Sequence, residues 1–292
     1  MKKEFGLFTA IVCTTTKYLR LDSLYMSFIK RHVSCYYDKN IKEIESGICE
    51  NQKEKCCKVI WMPWWQGEEN MPDVVRIARK SVADSAVGYE VITISRDNIK
   101  DYIDIPDYIM EKFSKGYMSV IHLCDYIRVS LLSEYGGIWL DGTVFATGVI
   151  SLSLLDYEFY SRHYKSTNRL VSNGRWSGYF LVSGFKHSEL FDGLRSYYDS
   201  YWKKHDRLIT YLFLDYLIDF YYNRKASVKD VIDSVPFNNS QMKFLSSHLN
   251  IKFDTSEWAR VCKETYLHKI SVRSKVSDDP NTYYNCLIKS IL

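Results

Sequence analysis

An α/β fold around an open sheet, with helical additions before and after it, is what this 292-residue sequence predicts. Three observations point there. Strand, helix and strand alternate from Lys58 to Ile94, the order that builds a sheet able to bind nucleotides. The stretch Tyr117 to Thr143 then reads as a long helix, a double-glycine stop and a short buried strand. After residue 188 the apolar and aromatic residues recur at helical spacing.

Residues 1–57 differ from the rest and are expected to form a helical extension, leaving 58–292 as the main domain. Lys17 to Cys35 carries Leu21, Leu24, Tyr25, Phe28 and Ile29 on one stripe, ringed by Lys17, Arg20, Lys30, Arg31 and His32. That pattern suits a helix packed on the main domain. It equally describes a basic amphipathic surface resting on an anionic membrane. Asn40 to Lys58 is polar and reads as a linker. Lys58 to Met62 is a buried strand, Pro63 to Gly67 a loop, and Pro72 opens a helix that runs to about Ala83. Tyr89 to Ile94 is a second strand by its β-branched content.

Val120, Leu123, Ile127, Leu131 and Glu134 give the organising helix its period, and Gly136 with Gly137 ends it. Ile138, Trp139 and Leu140 form a strand that delivers Asp141 to its carboxyl end, where open α/β sheets bind ligands. Asp125 and Arg128, three apart, share a helix face. A guanidinium that forks onto oxygens and carboxylates that take hydroxyls or a cation suit a polar, phosphate-bearing ligand. The plainer account is a helix salt bridge and a capped turn. Downstream, Asp156 to His163 and Tyr179 to Val182 read as strands around an exposed polar loop, Ser172 to Ser177. Helices follow at Ser188 to Trp202, with Ser188 as N-cap, at Arg207 to Tyr222 and at Ser240 to Leu249. Thr265 to Lys275 is basic and strand-like.

The segment Asp125-Tyr-Ile-Arg128, then Tyr135-Gly-Gly-Ile-Trp-Leu-Asp141-Gly-Thr143, resembles the core motif of the capsular polysaccharide synthesis family of glycosyltransferases. That family is related to Asp-x-Asp sugar transferases such as yeast-type mannosyltransferases and clostridial glucosylating toxins. Val59-Ile-Trp61-Met-Pro-Trp64-Trp65-Gln66-Gly67, Met71-Pro72, Tyr89-Glu-Val-Ile and Tyr102-Ile-Asp-Ile-Pro106 match further blocks of it. Several ordered blocks are more specific than a lone Asp-x-Thr.

The resemblance implies a nucleotide-sugar-binding, Rossmann-like mixed sheet of the GT-A type. It implies a hexosyltransferase that moves a sugar from a nucleotide-sugar donor to a glycan or lipid-linked saccharide, with retention of configuration. Mn²⁺ or Mg²⁺ is the implied cofactor. Asp141 is the first candidate, as a contact to donor sugar or ribose and as a metal ligand. Asp125 and Arg128 would hold sugar hydroxyls and phosphate, and Trp64 would stack on the base. Thr143 stands where the wider pattern has a second carboxylate and is a weaker metal ligand. His268 is a further metal candidate, and Lys269, Arg273 or Lys275 would neutralise diphosphate. Asp215, in a stretch resembling another block, is a catalytic candidate facing the acceptor, with Asn173 and Trp176 in the acceptor pocket. Trp61, inside its strand, is core.

Composition narrows the setting. A net charge of +4 argues against a nucleic-acid binder, and 24 Tyr with 7 Trp suit sugar faces as well as a thick core. Eight cysteines, at 13, 35, 49, 56, 57, 124, 262 and 286, show no metal or disulfide spacing and fit a reducing cytoplasm. The apolar run Phe5 to Cys13 is too short to span a bilayer, so the expected place is cytoplasmic, with peripheral contact to the inner membrane face through the N-terminal helix. Two rivals stay open: a sugar-nucleotide or glycan binder without catalysis, which the missing second carboxylate suggests, and a membrane-surface interaction protein.

Overall fold

The computed structural model describes residues 14–15, 21–49, 54–166, 170–273 and 276–289. Its centre is a five-stranded sheet in the order β3-β2-β4-β7-β6, formed by β2 (Val59–Pro63), β3 (Glu90–Ile94), β4 (Gly137–Leu140), β6 (Tyr160–Ser161) and β7 (Phe180–Ser183). β2 lies parallel to β3 and β4, whereas β7 runs antiparallel to both β4 and β6. The result is the mixed α/β sheet that the sequence predicts. Every residue from Val59 to Met62 and from Gly137 to Leu140 is buried, as expected for strands covered on both faces. Trp61, opposite Trp139 in the ladder, is core.

The organising helix spans Val120–Glu134 and starts on Ser119, whose hydroxyl accepts from the His122 amide. Gly136 and Gly137 adopt φ of 65° and 88°. A Cβ at Gly137 would lie 2.7 Å from the Val59 carbonyl, so β4 can enter beside β2 only because the side chain is missing. The helix is buried from Asp125 through Ser133, and it packs on the later helix Glu189–Lys204 and on β4.

Several expected boundaries shift. The N-terminal helix is Asp22–Glu45, broken at Asn40, so the stretch read as a linker is helical as far as Glu45. Its inner residues Ile29, Val33, Tyr36 and Tyr37 meet the helices Glu189–Lys204 and Phe213–Arg224, and Tyr197 Oη donates to the Val33 carbonyl at 3.0 Å. Phe5 to Cys13, Lys17, Arg20 and Lys275 lie outside the described residues. Ser188 sits at the N-cap position, but its side chain makes no capping bond and contacts the Ser183 hydroxyl instead. The strand expected at Asp156 to His163 shrinks to Tyr160–Ser161, after a 3-10 turn at Leu152–Asp156. The helix expected from Ser240 covers only Phe244–His248, since the Gln241 amide is drawn to Thr265 Oγ1.

Away from the main sheet, β1 (Glu54–Lys55) pairs with β8 (Phe185–Lys186), and β5 (Val144–Ala146) pairs antiparallel with β9 (Leu267–Lys269). The register sets Val144 opposite Lys269 and Phe145 opposite His268. Residue 269 is thereby placed beside the turn at residues 141–143. No helix among the described residues is long and apolar enough to cross a membrane.

Candidate active site

β4 ends at Leu140 and releases Asp141 into a turn closed by the Val144 amide on the Asp141 carbonyl, at 2.8 Å. The organising helix lays Arg128 across it. Arg128 Nη2 donates to Asp141 Oδ1 at 3.2 Å, and Nη1 donates to the Gly178 carbonyl at 2.6 Å. A Cβ on Gly178 would stand 2.9 Å from Nη1, so a larger residue there would push the guanidinium from its present place. The indole N–H of Trp139 donates to the same Oδ1 at 3.0 Å. The other carboxylate oxygen, Oδ2, accepts from Lys269 Nζ at 2.9 Å, and that ammonium also donates to Thr143 Oγ1 at 2.6 Å. Burial by itself raises a carboxyl, yet here Lys269 and Arg128 outweigh it and hold Asp141 at about 2.

Asp125, one turn before Arg128, is 3.5 Å from Nη2. Its burial pushes it up to about 7, against the pull of Arg128 and with Asp141 and Asp215 adding repulsion. The sequence pair is therefore an ion pair, and it shares its guanidinium with a second carboxylate.

Arg128, Asp141, Gly142 and Thr143 line a cleft of about 280 Å³ with the loop Pro63, Trp64, Trp65 and Gln66 and the helix residues Val120, Ile121 and Cys124. Trp64 is half-buried on this wall, its indole N–H on the Asn70 carbonyl at 3.2 Å. Its ring comes within 3.6 Å of where a Gly142 Cβ would be. Asp141 and Arg128 thus face one opening. They touch each other, however, so a ligand meets the pair from the cleft rather than entering between them.

A second cavity, about 200 Å³, is lined by Tyr164, Leu170, Val171, Ser172, Trp176, Ser177, Gly178, Tyr179, Leu212, Asp215 and Lys243. Gly178, gripped by Arg128, belongs to its wall. Trp176 is buried and donates its indole N–H to Asp215 Oδ1 at 3.0 Å, and burial raises the Asp215 carboxyl. The loop read as exposed, Ser172 to Ser177, is buried at Ser172, Gly174, Trp176 and Ser177. Asn173, exposed at φ 48° in the turn, is not among the lining residues. Two participants were not singled out from sequence. One is Gly178, whose carbonyl matters only once Arg128 has arrived. The other is Tyr198, whose buried hydroxyl has no hydrogen-bond partner among the described residues and which feels the charges of Asp125, Arg128 and Asp215.

His268 is not brought to this group. Side chains alternate along β9, so with Lys269 facing Asp141 its neighbour faces the opposite side. The imidazole is fully buried, its Nε2 lies 3.2 Å from Thr147 Oγ1 and its ring 5.0 Å from Trp258, and burial lowers it to about 3. The expectation of His268 as a metal ligand is corrected accordingly. The remaining donor set fits Mn²⁺ or Mg²⁺ poorly, since it offers one carboxylate and one hydroxyl, both already bonded to the chain's own cations, and would leave most positions to water and ligand oxygens. Both oxygens of Asp141 are taken, and the Thr143 hydroxyl is taken by Lys269. Elsewhere, among the described residues, Cys49, His187 and Asp192 form one group able to hold a metal ion. Arg273 is exposed, on the turn after β9.

The family model described as capsular polysaccharide synthesis protein matches residues 15–287. The chain belongs to this family. As a capsular polysaccharide synthesis protein it carries both the cleft and the second cavity within the matched span. No curated protein matches it. A solved structure described as PaToxG Glycosyltransferase is similar at a TM-score of 0.33 and 12% identity, covering 72% of this chain and 83% of that one, too low a likeness to bear on activity.

Proposed function

We propose that this capsular polysaccharide synthesis protein is a glycosyltransferase that moves a hexose from a nucleotide-sugar donor to a glycan or lipid-linked saccharide. The observation that carries the reading is Asp141, at the mouth of a cleft with an aromatic wall, held ionised by two cations. Breaking a bond between an anomeric carbon and a diphosphate builds negative charge on the departing oxygens. Cations fixed in advance stabilise it without reorganising. In this reading Arg128 and Lys269 meet the diphosphate, Trp64 stacks on the base, and Asp125 and Asp141 accept from sugar or ribose hydroxyls. The second cavity takes the acceptor, with Asp215 orienting a hydroxyl and Trp176 holding Asp215 in place. Asn173 would contact only an acceptor long enough to leave the cavity. In this reading configuration is retained, as in the families that the sequence resembles, and the setting is cytoplasmic. Membrane contact would fall to the exposed Leu21 and Leu24, since the inner stripe of the N-terminal helix is used within the protein.

The test is release of free sugar from UDP- and GDP-hexoses by purified protein, compared with Asp141→Ala. Slow hydrolysis abolished by the substitution supports the reading. Donor binding without any turnover would favour the rival, a binding protein, for which Thr143 in place of a second carboxylate is the motive.

A further inference from the structure

Asp141 and Thr143, the metal ligands that the sequence resemblance implies, are arranged around a cation that the chain supplies itself, Lys269. Lys269 Nζ stands 2.9 Å from one Asp141 oxygen and 2.6 Å from the Thr143 hydroxyl, so it bridges the two groups expected to be metal ligands. Its backbone is fixed on three sides: opposite Val144 in the ladder, by its amide on the Met242 carbonyl at 2.7 Å, and by the next amide on the Thr143 carbonyl at 2.9 Å. The ring of Tyr179 lies 5.3 Å from the ammonium.

Charge counting supports the same arrangement. A second carboxylate at 143 would leave charge for a divalent ion, whereas the neutral Thr143 hydroxyl leaves Asp141 as the one carboxylate at this turn, and it already faces both Arg128 and Lys269. Threonine at 143 and lysine at 269 are therefore complementary. A divalent ion added here would have to approach Arg128 and Lys269 and compete with both for the same carboxylate.

We propose that Lys269 is the resident cation of this site, filling the place between Asp141 and Thr143 that a divalent metal would take, so that the transferase needs no metal at its diphosphate. The role toward diphosphate rests on the donor reading above. The occupancy of the cation position does not.

Two measurements on the full chain test this. The first is Mn²⁺ uptake followed by the electron paramagnetic resonance signal of the free ion. Wild type and Asp141→Asn should take up the same amount, any uptake by Cys49, His187 and Asp192 being common to both. Lys269→Met should gain one site that the double variant Lys269→Met, Asp141→Asn loses. Uptake by the wild type that Asp141→Asn removes would overturn the proposal, and this comparison stands even if Lys269→Met fails to fold. The second is binding of UDP and GDP with excess EDTA or with Mn²⁺. Affinity of the wild type should be the same in both, weaker by about tenfold or more in Lys269→Met and largely retained in Lys269→Arg, as for loss of a charged hydrogen bond. Binding that requires Mn²⁺ would also overturn it. Failure of either nucleotide to bind under any condition would count against the donor reading, and the Mn²⁺ titration would still decide the position of Lys269.

Discussion

On the side of Arg128 that faces the cleft, Asp141 accepts from a guanidinium, an ammonium and an indole N–H, and it is held at about 2. Asp125, which lies toward Tyr198 and Asp215, reaches only the same Nη2 atom of Arg128, at 3.5 Å, and is pushed up to about 7. Asp125 is buried, whereas Asp141 is partly exposed at the cleft mouth. What separates them is the number of cations each can reach, and a single side chain, Lys269, makes that difference.

Removing Arg128 attacks both sides at once and should have the largest effect. Arg128→Met leaves Asp125 without its cation and Asp141 with one, and breaking a buried pair of this kind costs about 3–5 kcal/mol, readable in urea unfolding. Arg128→Lys should keep more stability but lose donor turnover by about tenfold or more, because one nitrogen does not reproduce the fork that sends Nη1 to Gly178 and Nη2 to Asp141.

The two carboxylates should also bend stability with pH in opposite directions. The folded chain keeps a proton on Asp125 well above the ordinary value of 3.8, so its contribution declines as pH rises from about 4 to 7 and is level beyond. Asp141 is depressed, so its contribution is full above 3.8 and is lost as pH falls toward 2. Asp125→Asn should flatten the first slope in unfolding titrations and leave the second. A slope that survives this change would assign it to another group.

Trp64→Ala probes the cleft side alone, and loss of stacking should raise the donor KM by about tenfold. An unchanged KM would return Trp64 to a packing role. The smallest effect belongs to the back of β9: His268→Leu should leave nucleotide affinity and its response to Mn²⁺ unaltered, where a metal ligand would have shown itself in both.

The helix from Val120, the two glycines and the strand ending at Asp141 were legible because their signals are local: a period, a breaker and a short apolar run. Trp61 was readable as core for the same reason. His268 and Lys269 both looked suitable, and sequence alone offers no way to choose between adjacent residues on a strand. The choice is made by pairing with residues 144–146, more than a hundred positions away. The loop at residues 172–177 misled by its polar composition, since Trp176 spends its N–H on Asp215 and is drawn inside. Gly178 contributes a backbone carbonyl, which no residue type announces. The N-terminal helix outran its expected end because Asn40 breaks its geometry without stopping it.

Lys269 meets Asp141 across 128 positions of chain. On a ribosome, which delivers the amino end first, every strand of the five-stranded sheet has emerged long before β9. A nascent chain stalled in that interval would already hold Asp141 beside Arg128 yet lack its second counterion. In the proposed reading, the cation that joins Arg128 at a diphosphate thus comes from a segment made well after the sheet that positions Asp141.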